Sequence, residues 1–388
     1  MFVKRIMRLL IGILISLALI ANYACSKNST SSISTTTPTY SCDYSVVSKG
    51  TRLFGLDILD LPTNGSYADN YNTLKAMHAN FQTLPLTWTS IETTAGSGST
   101  SGNLIDPYGA LATFSGLAQT DGIKLALTIR PVDATGKTVP SDLSSTRFNN
   151  ANMITRFEKV IDFVLTKIDK TQLTSIMIGN EVDNYNPSSD TNFWSDYAAF
   201  LFAIKTYVNT SYPGLKIGFT STAAGFISAS KTTPDGWNSR SVLQAWAGNV
   251  DVVGITYYPL NSDYTMQSPT VVSADFLNLV NAIPSGKRIH IQEIGYSTSA
   301  TNNSSEYAQS QFFCEVFKAW DDNSHIAQIS IVRMNDITRA SAEAMAIPYG
   351  ITSEPFIEYL RTLGLRSSSS NEKSSMTIIR SELTKRSF

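Results

Sequence analysis

Histidine is scarce in this chain, with three in 388 residues, and His78, His290 and His325 lie far apart. No cluster of metal-ligating side chains is therefore expected, and the sequence calls for no metal and no other cofactor. A Gly-rich phosphate loop is missing, as is a Ser-His-Asp arrangement with its local signature. Charge is sparse as well: charged residues make up 16% and the formal net charge is -1. Such a balance gives no electrostatic case for nucleic acid or an anionic membrane surface, and it suits neutral partners. Only one long hydrophobic run exists, over residues 9–21, with Lys4, Arg5 and Arg8 ahead of it. That run is too short to span a bilayer as a mature helix and has the layout of a secretory signal.

Cysteine is the third scarcity, with three in all. Cys25 follows the apolar run and precedes a Ser/Thr-rich tract that cannot build a core. A cysteine in that place resembles the acylation site of a bacterial lipoprotein signal, with Ala24 before it as the small residue. The resemblance implies a signal over 1–24, lipidation at Cys25, a tether over 25–49 and a membrane partner through the lipid, at the bacterial cell envelope. Plain secretion with cleavage near Ala24 is the alternative. Cys42 and Cys314 could pair in an exported protein, or Cys314 could be an inert buried thiol.

What is present is a hydrophobic content of 42%, enough for a large core,. From residue 50 to 366 the chain alternates strand-like and helix-like pieces. Short apolar strands are expected near 53–58, 79–88, 123–129, 176–182, 215–219, 251–258, 288–294 and 326–332. Between them fall amphipathic pieces. The clearest is residues 153–168, where Met153, Ile154, Phe157, Val160, Ile161, Val164, Leu165 and Ile168 recur at spacings of three and four,. Eight such alternations specify a single-domain (β/α)8 TIM barrel. A doubly wound open sheet would need a Gly-rich first turn, and residues 59–65 are not one. Residues 367–388, Ser-rich with mixed charges, are expected to be a disordered tail.

Two strands end in carboxylates. Ile176-Met177-Ile178-Gly179-Asn180-Glu181 and Ile289-His290-Ile291-Gln292-Glu293 each run apolar into polar residues at the C-terminal end, the edge where parallel α/β folds place their chemistry,. On strands four and seven of a closed barrel, Glu181 and Glu293 lie roughly opposite. A facing pair of carboxylates is the minimal equipment for cleaving a glycosidic bond: one stays protonated to assist the leaving oxygen, the other attacks the sugar carbon.

Asn180-Glu181, Glu293 and the pair Tyr257-Tyr258 on strand six resemble the clan of retaining β-glycosidases built on (β/α)8 barrels. The phrases Ile178-Gly179-Asn180-Glu181-Val182-Asp183-Asn184, Asp251-Val252-Val253-Gly254-Ile255-Thr256-Tyr257-Tyr258-Pro259 and Glu293-Ile294-Gly295-Tyr296 are most similar to the arabinogalactan endo-β-1,4-galactanases. The resemblance implies Glu181 as acid/base, Glu293 as nucleophile, Asn180 as donor to the sugar 2-hydroxyl and Tyr258 as the hydrogen-bond partner of Glu293, with Tyr257 as the alternative. It also implies a polysaccharide or oligosaccharide substrate of galactan, mannan or glucan type. The chain departs from the clan at two places: Leu84-Pro85-Leu86 stands where an arginine is usual late on strand two, and Val332-Arg333-Met334-Asn335 where a tryptophan often ends strand eight. Arg130 and Arg333 are candidates to compensate.

Trp88, Trp194 and Trp237 fall in or near expected βα loops, where an indole could stack on a pyranose; Trp88 and Trp194 are taken as substrate-binding. Arg130 and Asp133 follow strand three, and Arg130 is taken as a hydroxyl ligand. The competing function is a catalytically idle barrel that serves as a surface carbohydrate-binding or adhesion lipoprotein.

Overall fold

Each of the eight apolar runs is a strand in the computed structural model, which describes residues 42–61, 65–185, 192–228 and 239–388. They are β1 (Leu53–Leu56), β2 (Phe81–Thr87), β3 (Lys124–Arg130), β4 (Leu173–Ile178), β5 (Ile217–Thr222), β6 (Val252–Tyr257), β7 (Arg288–Ile294) and β8 (Ile326–Ile331). All pair in parallel, and β1 closes on β8, so the sheet is a barrel in the order β1-β8-β7-β6-β5-β4-β3-β2. Closure removes every sheet edge, and burial on both faces explains the near-continuous apolar runs.

The outer ring follows from amphipathic periodicity. Helix α1 (Tyr67–Ala76) opens on a capping box between Ser66 and Asp69,. After it come α2 (Ala110–Asp121), α3 (Ala151–Leu165), α4 (Phe193–Ser211), α5 (Ser239–Asn249), α6 (Val271–Ala282) and α7 (Glu306–Asp322). Of the stripe read from the sequence, Met153, Phe157, Val160, Ile161 and Val164 are fully buried against the barrel, and Ile154 and Leu165 are half-buried at its margins. Beyond β8 the chain forms α8 (Arg339–Ala346), which the sequence did not announce, and α9 (Glu354–Arg361).

Residues 367–388 correct the expectation of a disordered tail. They hold helix α10 (Ser374–Lys385), packed on α7. Three apolar residues, Met376, Ile379 and Leu383, share one face and join the core, and Ile378 is buried beside them. Polar anchors complete the seat. Lys373 Nζ meets Asp336 Oδ1 at 2.7 Å, and Arg386, fully buried, bridges Asp321 at 2.6 Å and Glu382 at 2.7 Å. The end of the expected tether is held in the same corner. Cys42 and Cys314 form a disulfide, Cα to Cα 5.4 Å, and the Tyr44 hydroxyl donates to Glu382 at 2.8 Å. Cys25 and the signal lie outside the described residues.

Candidate active site

Two different local devices bring the glutamates to the C-terminal mouth. At the end of β4 the chain turns through Gly179, whose φ of +81° suits glycine,. The buried Tyr197 hydroxyl, which donates to the Ile178 carbonyl at 2.9 Å, occupies the space that a Cβ on Gly179 would need. Asn180 then donates its backbone N–H to Val132 O at 3.0 Å, and Val182 donates to Thr220 O at 3.1 Å. Between these two ties Glu181 sits at φ +45°, a left-handed conformation uncommon outside glycine and often concentrated at functional sites,.

Glu293 owes its direction to a register shift in β7. Gly254 pairs with His290 and Ile255 with Ile291, yet Thr256 pairs with Glu293, so Gln292 is the extra residue. Strict alternation would align Gln292 with Thr256 and turn Glu293 to the opposite face of the sheet. The bulge gives Glu293 the direction of Thr256, and the Thr256 hydroxyl donates to Glu181 Oε1 at 2.8 Å,.

The electrostatics set the two carboxyls apart. Burial, and then the charge of nearby Glu293, push the Glu181 carboxyl up to about 7,. The hydrogen bond from Thr256 and that from Asn184 Nδ2, at 2.9 Å, act against this rise. Glu293 instead accepts from the Tyr258 hydroxyl at 2.8 Å and lies 3.6 Å from Arg130 Nη2. Burial and the Glu293 charge raise the Tyr258 phenol far above its ordinary value, which keeps it a donor. Arg130 Nη1 also grips Asp133 Oδ2 at 2.9 Å, and Asp133 Oδ1 accepts from Asn180 Nδ2 at 3.1 Å. One chain of polar contacts therefore runs Asn180, Asp133, Arg130, Glu293, Tyr258.

Glu181, Glu293, Asn180, Tyr258 and Arg130 are thus gathered at one mouth. The neighbouring Tyr257 faces outward, its hydroxyl on Asp275 at 2.7 Å, so Tyr258 is the inward tyrosine. The two tryptophan expectations fail. Trp88 is 0% exposed, packs edge-on against Phe157 and donates to Glu92 at 2.8 Å. Trp194 is 2% exposed, edge-on to Phe193 and tilted against Trp246. Helical start sequences carry their large aromatics inward as readily as outward, and neither indole has a face left for a sugar. Trp237 is outside the described residues. His290 faces Ser175 inside the barrel, and burial lowers its imidazole to about 3, so it is a neutral filler.

Sequence reasoning missed Thr256, Asp57 and Tyr349, and it named Arg333 without its partner. Thr256 was visible only as part of a phrase. Asp57 stands one position beyond β1, at the same barrel edge as the glutamates, and the rule applied to Glu181 would have found it. Burial and then Asp60 push its carboxyl up to about 6, with Arg333 opposing the rise and Glu293 adding to it. Arg333, 4% exposed, holds Asp60 Oδ2 at 3.0 Å. Tyr349, 45% exposed, follows the unannounced α8, and its phenol senses the charges of Glu181, Asp133 and Glu293. Nothing in the sequence marks it.

No protein-family model matches the chain, and no curated protein matches its sequence. Solved structures share its barrel. A GH5_18 structure from Streptomyces cattleya, in complex with GlcNAc, is 13% identical with a TM-score of 0.62 and covers 88% of this chain and 81% of its own. An exo-beta-1,4-mannosidase from an Opitutaceae bacterium is 15% identical with a TM-score of 0.59, over 87% of this chain and 60% of its own. A family 39 glycoside hydrolase from Bacteroides cellulosilyticus is 14% identical with a TM-score of 0.58, over 87% and 64%. At these identities the likeness is one of fold: a (β/α)8 barrel of the kind found among glycoside hydrolases.

Proposed function

We propose that this barrel is a glycoside hydrolase that cleaves β-linked neutral polysaccharide or oligosaccharide with net retention of configuration. The observation that carries the proposal is the asymmetry of one carboxyl pair: Glu181 holds a proton to about 7, while Glu293 beside it has a tyrosine donor and an arginine. Two carboxyls in different environments are what acid and nucleophile require.

In the first step a Glu293 oxygen attacks the anomeric carbon as Glu181 gives its proton to the departing glycosidic oxygen. A glycosyl ester on Glu293 results. In the second step Glu181, now ionised, takes a proton from water, the water oxygen attacks the same carbon, and Glu293 leaves as carboxylate. Asn180, held by Asp133, is aimed to donate to the 2-hydroxyl, where positive charge spreads in the transition state. Tyr258 holds the attacking oxygen in place without giving up its own proton. The GlcNAc, mannosidase and glycoside hydrolase names attached to the structural neighbours support a sugar substrate. A galactan substrate has the three sequence phrases alone behind it; mannan and glucan types are proposed beside it. We propose also that the protein is exported and tethered through Cys25, a placement that suits the Cys42–Cys314 disulfide,.

The deciding experiment is hydrolysis of aryl β-glycosides and β-linked glycans by the exported chain and by its Glu181→Ala and Glu293→Ala variants. Each variant should lose roughly 10³-fold or more of kcat on glycans, and azide should restore turnover of activated aryl glycosides. Full activity in either variant defeats the mechanism. Glycan binding without turnover in the unaltered chain would favour a surface carbohydrate-binding lipoprotein.

A further inference from the structure

Strands β1, β8 and β7 are neighbours, and each delivers one ionisable residue to the mouth. Leu56 is in register with Ile331, and Ile331 with Ile294. The ladder continues past the strand ends: Asp57 N–H donates to Ile331 O at 2.9 Å, Met334 N–H to Asp57 O at 2.9 Å, and Val332 N–H to Ile294 O at 2.9 Å. Asp57, Arg333 and Glu293 therefore stand in one row on the wall opposite Glu181, the side on which a sugar attacked by Glu293 must lie.

Within this row the charges do not balance. Around the mouth, among the described residues, stand the carboxyls of Asp57, Asp60, Asp133, Asp183, Glu181 and Glu293 against two guanidinium groups, Arg130 and Arg333. Both cations are engaged. Arg130 holds Asp133 and faces Glu293, while Arg333 is buried against Asp60. Asp57 has one oxygen on Leu59 N–H at 3.0 Å. Its other oxygen accepts no hydrogen bond among the described residues, and the residue is partly exposed. A half-desolvated carboxyl with a free acceptor is suited to a hydroxyl donor and hostile to a second anion.

Building on the glycosidase reading, we propose that Asp57 is a specificity-determining residue: it accepts from hydroxyls of the sugar on the Glu293 side and, with Asp60, turns away glycosides that carry a carboxylate. A uronate placed there would add a further carboxyl, and among the described residues both arginines of the mouth already face carboxylates. Repulsion between like charges about 6 Å apart in a partly wet site amounts to roughly a hundredfold in affinity.

The test compares kcat/KM for paired 4-methylumbelliferyl substrates, β-glucoside with β-glucuronide and β-galactoside with β-galacturonide, in the unaltered chain, Asp57→Asn, Asp57→Ala and Asp60→Asn. The unaltered chain should favour the neutral member of a hydrolysed pair by about a hundredfold or more. Asp57→Asn keeps the acceptor for Leu59 and should shrink that ratio at least tenfold; Asp60→Asn should shrink it too. Asp57→Ala should cut the neutral rate tenfold or more. Equal rates on both members, or a ratio unmoved in Asp57→Asn and Asp60→Asn, overturn the inference while leaving hydrolysis intact. If no glycoside is turned over, the hydrolase reading falls instead. Calorimetry with mannotetraose and with a mannuronate tetrasaccharide then decides the inference, and equal affinity for the two defeats it.

Discussion

Thr256 and Glu293 are register partners across β6 and β7, and the Thr256 hydroxyl reaches the other carboxyl of the site, Glu181, at 2.8 Å. The bulge at Gln292 thus does two things at once: it turns Glu293 inward and sets beside it the residue that steadies Glu181. The Thr256 bond favours the charged form of Glu181, so Thr256→Val should move the basic limb of the kcat/KM profile, near pH 7 in the unaltered chain, to higher pH,. Loss of that bond should also cost about 1 kcal/mol of stability. A pH–rate profile with an unmoved basic limb would remove Thr256 from the site.

Glu181 makes a second, independent prediction through folding. It keeps its proton to about 7, whereas its ordinary value is 4.5. Across that interval the folded chain binds more protons than the unfolded one, so stability falls as pH rises. Glu181→Gln cannot ionise. It should be more stable than the unaltered chain at pH 8, by about 1–3 kcal/mol after allowance for solvent screening, and the advantage should vanish below pH 4.5,. Thermal melts at pH 4 and pH 8 measure the difference.

The barrel was legible because every strand is buried on both faces and announces itself as an apolar run; all eight were located within a few residues. The glutamates were legible because polar residues end two of those runs. What stayed hidden was directional. Counting alternation along Ile289 to Glu293 cannot reveal a bulge, and Trp88 and Trp194 look alike in sequence whether they face a sugar or a core. The order of residues 367–388 was hidden for another reason: four apolar side chains in a Ser-rich segment do not suggest a core until α7 supplies the opposite face. The burial of Arg386 between Asp321 and Glu382 could not be seen from a segment that reads as charged.

Arg130 links the two halves of the site through Asp133 and Glu293. Arg130→Met should leave Asp133 free to drift from Asn180 and Glu293 without its cation. An arginine that acts chiefly by positioning should show a fall in kcat, about 10- to 100-fold, larger than any rise in KM. Steady-state kinetics that show the reverse would mark Arg130 as a plain substrate ligand.

Gly179 is held to glycine by φ of +81°, by the Tyr197 hydroxyl and by Val182 Cγ1. Gly179→Ala should therefore cost about 3 kcal/mol and lower Tm by roughly 5–10 °C. Because the turn aims Asn180 and Glu181, activity of the fraction still folded should fall too. The double variant Gly179→Ala with Tyr197→Phe should recover part of the stability if the hydroxyl is the obstacle, since the Phe ring lacks the atom that meets the new methyl group. No recovery would assign the cost to the backbone conformation and to the Val182 side chain, whose Cγ1 would stand 2.7 Å from the new methyl group.

Helix α10 is also coupled to the catalytic end of the barrel. Lys373 N–H donates to Leu365 O at 2.9 Å and its Nζ to Asp336 Oδ1 at 2.7 Å, and Asp336 lies three residues beyond Arg333. Removing residues 367–388 would strip the apolar cover from α7 and leave Asp336 buried without its cation. Leu383→Ala should cost about 2–4 kcal/mol through the cavity it leaves. Lys373→Met should cost about 3 kcal/mol through the uncompensated carboxylate. Only the second should disturb the loop after β8, so kcat/KM should fall in Lys373→Met and hold steady in Leu383→Ala at a temperature where both remain folded. Equal loss in the two would mean that the helix matters only as ballast for the fold, and that Asp336 does not carry its influence to the site.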